Sequence, residues 1–132
     1  MSDLPIAFEP TPQRTGHDCA VACLRMLLEA EYLDTINAFS NRTKVQQHGA
    51  SDRQILNAAK KLGHTLRFII DGDLSETVGI LQVKGPTKEI HVVILAKGTV
   101  YDPGPNLFWT DVAAFLAVGK YKVCGVFVRE DS

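Results

Sequence analysis

Residues 90–102 read Ile90-His91-Val92-Val93-Ile94-Leu95-Ala96-Lys97-Gly98-Thr99-Val100-Tyr101-Asp102. Two runs rich in β-branched residues flank a Lys-Gly pair, which is the spacing of a two-residue hairpin turn. The first run is apolar on both faces apart from one histidine, as expected of a strand covered on both sides. With Lys97 and Gly98 at the turn, Ala96 pairs with Thr99 and Val93 faces Asp102. His91, two positions along, then shares a side of the sheet with Asp102. Such diagonal neighbours have Cα atoms about 7–8 Å apart, within reach of a carboxylate–imidazole contact. A turn one residue longer or shorter would send the two side chains to opposite faces. Taken alone, the pair reads more simply as a core histidine beside a strand-ending Asp-Pro turn.

The flanking sequence extends this sheet. Leu66, Phe68 and Ile70 alternate with Thr65 and Arg67, Gly79 to Val83 forms another apolar run, and Tyr121 to Val128 is a further β-rich segment. Pro103-Gly104-Pro105 stops the strand that holds Asp102, and Thr110 is placed to cap a helix through Ala117. Ahead of the sheet the period is helical. Cys19, Ala22, Cys23, Met26, Leu27 and Ala30 recur at three and four, with Val21, Leu24 and Leu28 widening the stripe. Asp18 to Glu31 is therefore expected to be a largely buried helix with Asp18 at its N-cap. A shorter helix is expected over Asp34 to Asn41. Ser51-Asp52-Arg53-Gln54 has capping-box spacing, Ile55, Leu56, Ala58, Ala59 and Leu62 follow at helical intervals, and Gly63 supplies a left-handed C-cap. Pro5, Pro10 and Pro12 keep residues 1–16 extended. Helices followed by an antiparallel sheet define an α+β arrangement.

The 132-residue chain is 45% hydrophobic, with 14 basic and 15 acidic residues and a formal net charge of −1. A chain of this length buries roughly two thirds of its unfolded surface, so its core needs neither disulfides nor a structural metal. No repeat or linker divides it, and residues 1–132 are read as a single domain. Scattered Lys and Arg with no charge excess exclude the electrostatic footprint of nucleic-acid or anionic-membrane binding. No apolar run approaches the ~18 residues of a membrane span. The start Met1-Ser2-Asp3-Leu4-Pro5 lacks a secretory pattern, so a cytoplasmic protein is expected. No Walker A motif or dinucleotide-binding glycine fingerprint occurs, so no nucleotide cofactor is expected. Asp71-Gly72-Asp73 lacks the further acidic ligands of an EF-hand and reads as a turn and helix cap.

The three cysteines differ in position. Cys19 falls in the first turn of its helix, where unpaired N–H groups and the helix dipole favour a thiolate. Packing as a small hydrophobe is the commoner role of a lone cysteine, and Cys23 and Cys124 are assigned to it. A zinc site from Cys19, Cys23 and a histidine has neither a CxxC nor an HxxxH pair behind it. A nucleophilic thiol needs a base and a group to orient that base, which His91 and Asp102 can supply. Gln13, six residues before Cys19, can donate to an oxyanion together with the Cys19 backbone N–H. His17 reads as an exposed loop residue, and His48 and His64 border turns. Phe108, Trp109 and Phe115 can line a peptide groove, although such aromatics are more often core.

Gln13-Arg14-Thr15-Gly16-His17-Asp18-Cys19-Ala20-Val21-Ala22-Cys23-Leu24, the helix from Ser51 to Gly63, His91-Val92-Val93-Ile94-Leu95 and Tyr101-Asp102-Pro103 together resemble the papain-like cysteine peptidases. The resemblance is closest to the bacteriocin-processing (double-glycine leader) peptidase domains of ABC exporters and their free-standing relatives, and it spans nearly the whole chain in order. It implies a papain-like fold, with the nucleophile's helix packed against an antiparallel sheet that carries the base. Cys19 then looks like the nucleophile, His91 the general base and acid, Asp102 the orienting carboxylate and Gln13 the oxyanion donor. The implied substrate is a peptide or protein cleaved after small residues such as Gly-Gly, with no cofactor or metal, and the implied partner an exporter or secretion system. One position departs from the family pattern: Ala20 stands where glycine usually follows the nucleophile, setting a methyl beside the oxyanion hole. A deamidase, a peptidoglycan amide hydrolase or an interbacterial toxin would use the same four residues. The rival reading is a catalytically silent papain-like domain that binds a peptide or protein partner. Retention of all four groups speaks against it, and Ala20 speaks slightly for it.

Overall fold

The computed structural model describes residues 19–39, 51–102 and 108–130. The extended N-terminal segment with Gln13, His17 and the Asp18 cap lies outside the described residues, as do His48 and the Pro103-Gly104-Pro105 turn. Helices α1 (Cys19–Leu28), α2 (Tyr32–Ala38) and α3 (Asp52–Lys61) come first. Strands β1 (Leu66–Ile69), β2 (Val78–Lys84), β3 (Ile90–Ala96), β4 (Thr99–Asp102) and β5 (Phe108–Asp111) follow, then α4 (Val112–Gly119) and β6 (Lys122–Arg129). The strands form one antiparallel sheet in the order β1-β6-β2-β3-β4-β5. The architecture is α+β, as the order of periodicities requires.

The hairpin sets the register. Lys97 and Gly98 take left-handed φ values of 47° and 86°, the conformation of a type I′ turn that matches strand twist. Ala96 faces Thr99, Leu95 faces Val100 and Ile94 faces Tyr101. On its other edge β3 pairs along its whole length with β2, with Val83 opposite His91. Because β3 is hydrogen-bonded on both edges and covered on both faces, its near-continuous apolar run has no solvent side to mark with polar residues.

Strand alternation divides the core in two. One face sends Ile80, Val92, Ile94, Ala96, Tyr101 and Phe127 against α1, α2 and α3; the other gathers Leu81, Val83, Val93, Leu95, Val100 and Val126 under Phe115 of α4. α1 is buried almost all round, with Val21, Ala22, Cys23 and Leu24 each at most 2% exposed, which explains its broad apolar stripe. α3 is amphipathic and turns Ile55, Ala58 and Ala59 inward. Its capping box is complete: the Gln54 N–H donates to Ser51 Oγ at 3.3 Å, and the Ser51 N–H donates to Gln54 Oε1 at 2.8 Å. Gly63, at φ 90°, follows its C-terminus. Gln82 is buried on the helical face, and its side-chain amide donates to Asp52 in the first turn of α3, which satisfies a polar group that burial would otherwise penalise.

Four local expectations are corrected. α2 begins at Tyr32 rather than Asp34, because the Thr35 N–H and hydroxyl both return to the Glu31 carbonyl, at 2.9 and 2.8 Å, and close the first turn there. Thr110 is not a cap. It pairs with Val100 inside β5, and Asp111 caps α4 by accepting from the Ala114 N–H at 2.8 Å. Ile70 has left β1 and is 76% exposed. Asp73 caps a turn through the Ser75 N–H and hydroxyl, with no helix after it. Among the described residues, no helix is long and apolar enough to cross a membrane.

Candidate active site

His91 is the second residue of β3 and Asp102 the last of β4, so hairpin pairing sets both at the same end of the sheet. His91 Nε2 lies 3.4 Å from each carboxylate oxygen of Asp102. The side chains keep 24% and 14% of their surface exposed, so their interaction is screened less than that of a surface ion pair. An ionised carboxylate can only accept, so a neutral imidazole paired with it carries its proton on Nε2 and its lone pair on Nδ1. The pair becomes a salt bridge when the ring is protonated.

Cys19 is the first residue of α1. The helix packs on β3 through Cys23, one turn further on, whose thiol donates to the Val92 carbonyl at 3.6 Å. Four residues rise about 6 Å along a helix, so the start of α1 lies about one turn along the helix from the residue that contacts Val92, the strand position that follows His91. By strand alternation Val92 faces α1, whereas His91 and Asp102 belong to the face that α4 covers. His91 and Asp102 meet at the end of the sheet where β3 begins and β4 ends. Ala20 is 2% exposed within the helical-face core, so the methyl that departs from the family pattern is taken up by packing. The Cys19 side chain and Gln13 lie outside what the structure describes.

Tyr121 is a neighbour that sequence inspection did not single out. Its ring stacks on His91, with centroids 6.3 Å apart and planes at 28°, and on Phe115 at 4.9 Å and 25°. Burial raises the Tyr121 phenol above its ordinary value, and the negative charges of Asp102 and Glu89 push it further in the same direction. Glu89 is held below the usual carboxylate range, chiefly by the Thr87 hydroxyl and to a lesser extent by His91. The only sequence signal for Tyr121 is an aromatic just after a Gly-Lys helix ending, which gives no reason to connect it with His91.

The aromatics expected near a groove divide. Phe115 is core at 5% exposed, Trp109 is 54% exposed with its ring 6.4 Å from Tyr101, and the Phe108 side chain is outside the described residues. An open pocket of about 370 Å³ lies beside Asp102, formed by Thr110, Ala114, Phe115, Val118 and Tyr121. His64 Nδ1 sits 3.4 Å from Arg129 Nη2, away from this region. Cys124 is half-buried in β6.

A cysteine-led helix packed on an antiparallel sheet, with a histidine–carboxylate pair at the sheet's end, is the layout of the papain-like cysteine peptidases. The sequence model of the Peptidase C39 family matches residues 7–87. The chain belongs to the Peptidase C39 family, cysteine peptidases of the bacteriocin-processing type. No curated protein and no solved structure matches the chain. The matched stretch contains Gln13 and Cys19 and ends before His91 and Asp102. For the latter two, spatial placement rather than the match supplies the argument.

Proposed function

We propose that residues 1–132 form a single papain-like domain that hydrolyses a peptide or amide bond. Cys19 is the nucleophile, His91 the base and acid, Asp102 the orienting carboxylate and Gln13 the oxyanion donor. The observation that carries this reading is the 3.4 Å approach of His91 Nε2 to both oxygens of Asp102, on the strand against which the helix that Cys19 opens packs through Cys23 and Val92. With Nε2 committed to the carboxylate, Nδ1 is the nitrogen that exchanges a proton with the thiol. The N-terminus of α1 supports the thiolate through its dipole.

In this mechanism the Cys19 sulfur adds to the carbonyl carbon, and the oxyanion is held by the Gln13 amide and the Cys19 backbone N–H. The imidazolium gives its proton to the leaving nitrogen, the C–N bond breaks, and an amine departs from a thioester. Water then loses a proton to His91 as its oxygen adds to the thioester carbon. The C–S bond breaks, releasing a carboxylic acid and restoring the thiolate–imidazolium pair. The family supports cleavage after small residues such as Gly-Gly and association with an exporter or secretion system, and a thiol reagent suits a reducing cytoplasm.

The test is turnover of a synthetic peptide with an internal Gly-Gly, read by mass spectrometry together with the covalent adduct on Cys19. The wild type is expected to cleave after the second glycine and to show a thioester. Cys19→Ala and His91→Ala should lose at least about a thousandfold in rate. Cleavage by Cys19→Ala at the wild-type rate would overturn the assignment.

A further inference from the structure

Tyr121 is held more tightly than a surface aromatic needs to be. α4 ends at Gly119, Lys120 takes a left-handed φ of 53°, and the Tyr121 N–H returns to the Leu116 carbonyl at 2.9 Å. This closure turns the ring back over the helix it has just left. Gly119 makes room for it: a methyl there would stand 2.1 Å from Cε2 of the Tyr121 ring and 2.4 Å from Cδ2. Phe115, itself buried, stacks on the ring with centroids 4.9 Å apart. A plate fixed by a backbone closure, a glycine cradle and a buried phenylalanine then meets the His91 ring within the separation at which aromatic rings attract.

We propose that Tyr121 is a positioning residue for His91, a fixed aromatic plate that holds the imidazole in the rotation presenting Nε2 to Asp102 and keeps water from that side of the pair. This inference rests on the triad reading above and deepens it. An imidazole at a strand end can rotate about two side-chain bonds, and the contact with Asp102 restrains only one edge of the ring. The stack restrains its face. Tyr121 and Asp102 also line the same 370 Å³ pocket, so the phenol ring takes up space beside the carboxylate that water would otherwise fill. Excluding water there strengthens the attraction between Asp102 and a protonated His91. Among the described residues, the charged or titratable groups that act on this region include Asp102 from β4, Glu89 from the turn before β3 and the Tyr121 phenol itself, and the triad reading adds the Cys19 thiol. The ring face, not the hydroxyl, is the working part, so phenylalanine can replace tyrosine.

Two readouts on the full chain test this. One is the alkylation rate of Cys19 by iodoacetamide at pH 6, resolved from Cys23 and Cys124 by peptide mass spectrometry. The other is the NMR titration midpoint of the His91 ring. Tyr121→Ala is expected to slow Cys19 alkylation by between about threefold and tenfold, from the strength of aromatic pairs, and to lower the His91 midpoint. Tyr121→Phe should restore most of both values, and Gly119→Ala, which displaces the ring without removing it, should reproduce part of the loss. If Tyr121→Ala fails to fold, Tyr121→Leu, which keeps bulk without a plate, carries the same expectation. Alkylation and midpoint within twofold and 0.2 unit of wild type in the Ala or Leu variant, with His91→Ala unreactive, would overturn the role of Tyr121 and leave the triad standing. Wild-type reactivity in His91→Ala would instead overturn the triad reading, and the positioning role with it.

Discussion

The two faces of the sheet share six strands and differ in almost everything else. The helical face is the larger core: α1, α2 and α3 cover it with a dense apolar layer, and the buried amide of Gln82 is tied to Asp52. The other face has, among the described residues, one short helix, a smaller apolar cluster, an open pocket, and His91, Asp102 and Tyr121 along its margin. The helical face thus supplies most of the burial that stabilises the fold, and the thinner face leaves room for partly exposed titratable groups. The candidate site draws on both, because α1 begins on the first face and the histidine–carboxylate pair belongs to the second. In the proposed mechanism the chemistry takes place at the end of the sheet that holds His91 and Asp102.

This contrast is open to direct attack. The largest expected effect is on turnover without loss of fold: His91→Ala, at a partly exposed position, should cost at least about a thousandfold in rate while shifting the thermal midpoint little. A large fall in midpoint would show that the margin is structural after all. Phe127→Ala on the helical face removes a fully buried ring packed at a tilt 4.7 Å from Phe68, and should destabilise by about 3–5 kcal/mol in urea unfolding. Phe115→Ala on the thinner face, beside an existing opening, should fall at the low end, about 3 kcal/mol. An equal or larger loss would erase the difference between the faces. The smallest effects come from the helix caps. Ser51→Ala at α3 and Asp111→Ala at α4 should each cost about 1 kcal/mol. Only the second, whose helix carries Phe115 and leads into Tyr121, should also change Cys19 reactivity.

Much of this arrangement can be read from the residues. The Lys-Gly turn determined the pairing of β3 with β4 and therefore the side shared by His91 and Asp102, because a two-residue turn leaves one register. Ser51 and Gln54 marked the start of α3 by chemistry that acts within one turn. What was not legible is tertiary. β5 is four residues with little alternation of its own and exists by pairing with β4, so the sequence pattern puts the helix cap at Thr110, one residue early. The approach of Tyr121 to His91 depends on how α4 returns over the sheet, which no local pattern encodes. The two sheet faces were hidden for a related reason: β3 is apolar on both sides, so alternation could not say which side the helices take.

The central claim is that Cys19 and His91 act as a thiolate–imidazolium pair, and the pH profile of Cys19 alkylation tests it most directly. The account predicts that Cys19 in the wild type is alkylated with a midpoint well below the ~8.5 of an ordinary thiol, and that His91→Ala moves the midpoint back toward that value. An ordinary thiol midpoint in the wild type, unchanged in His91→Ala, would contradict it.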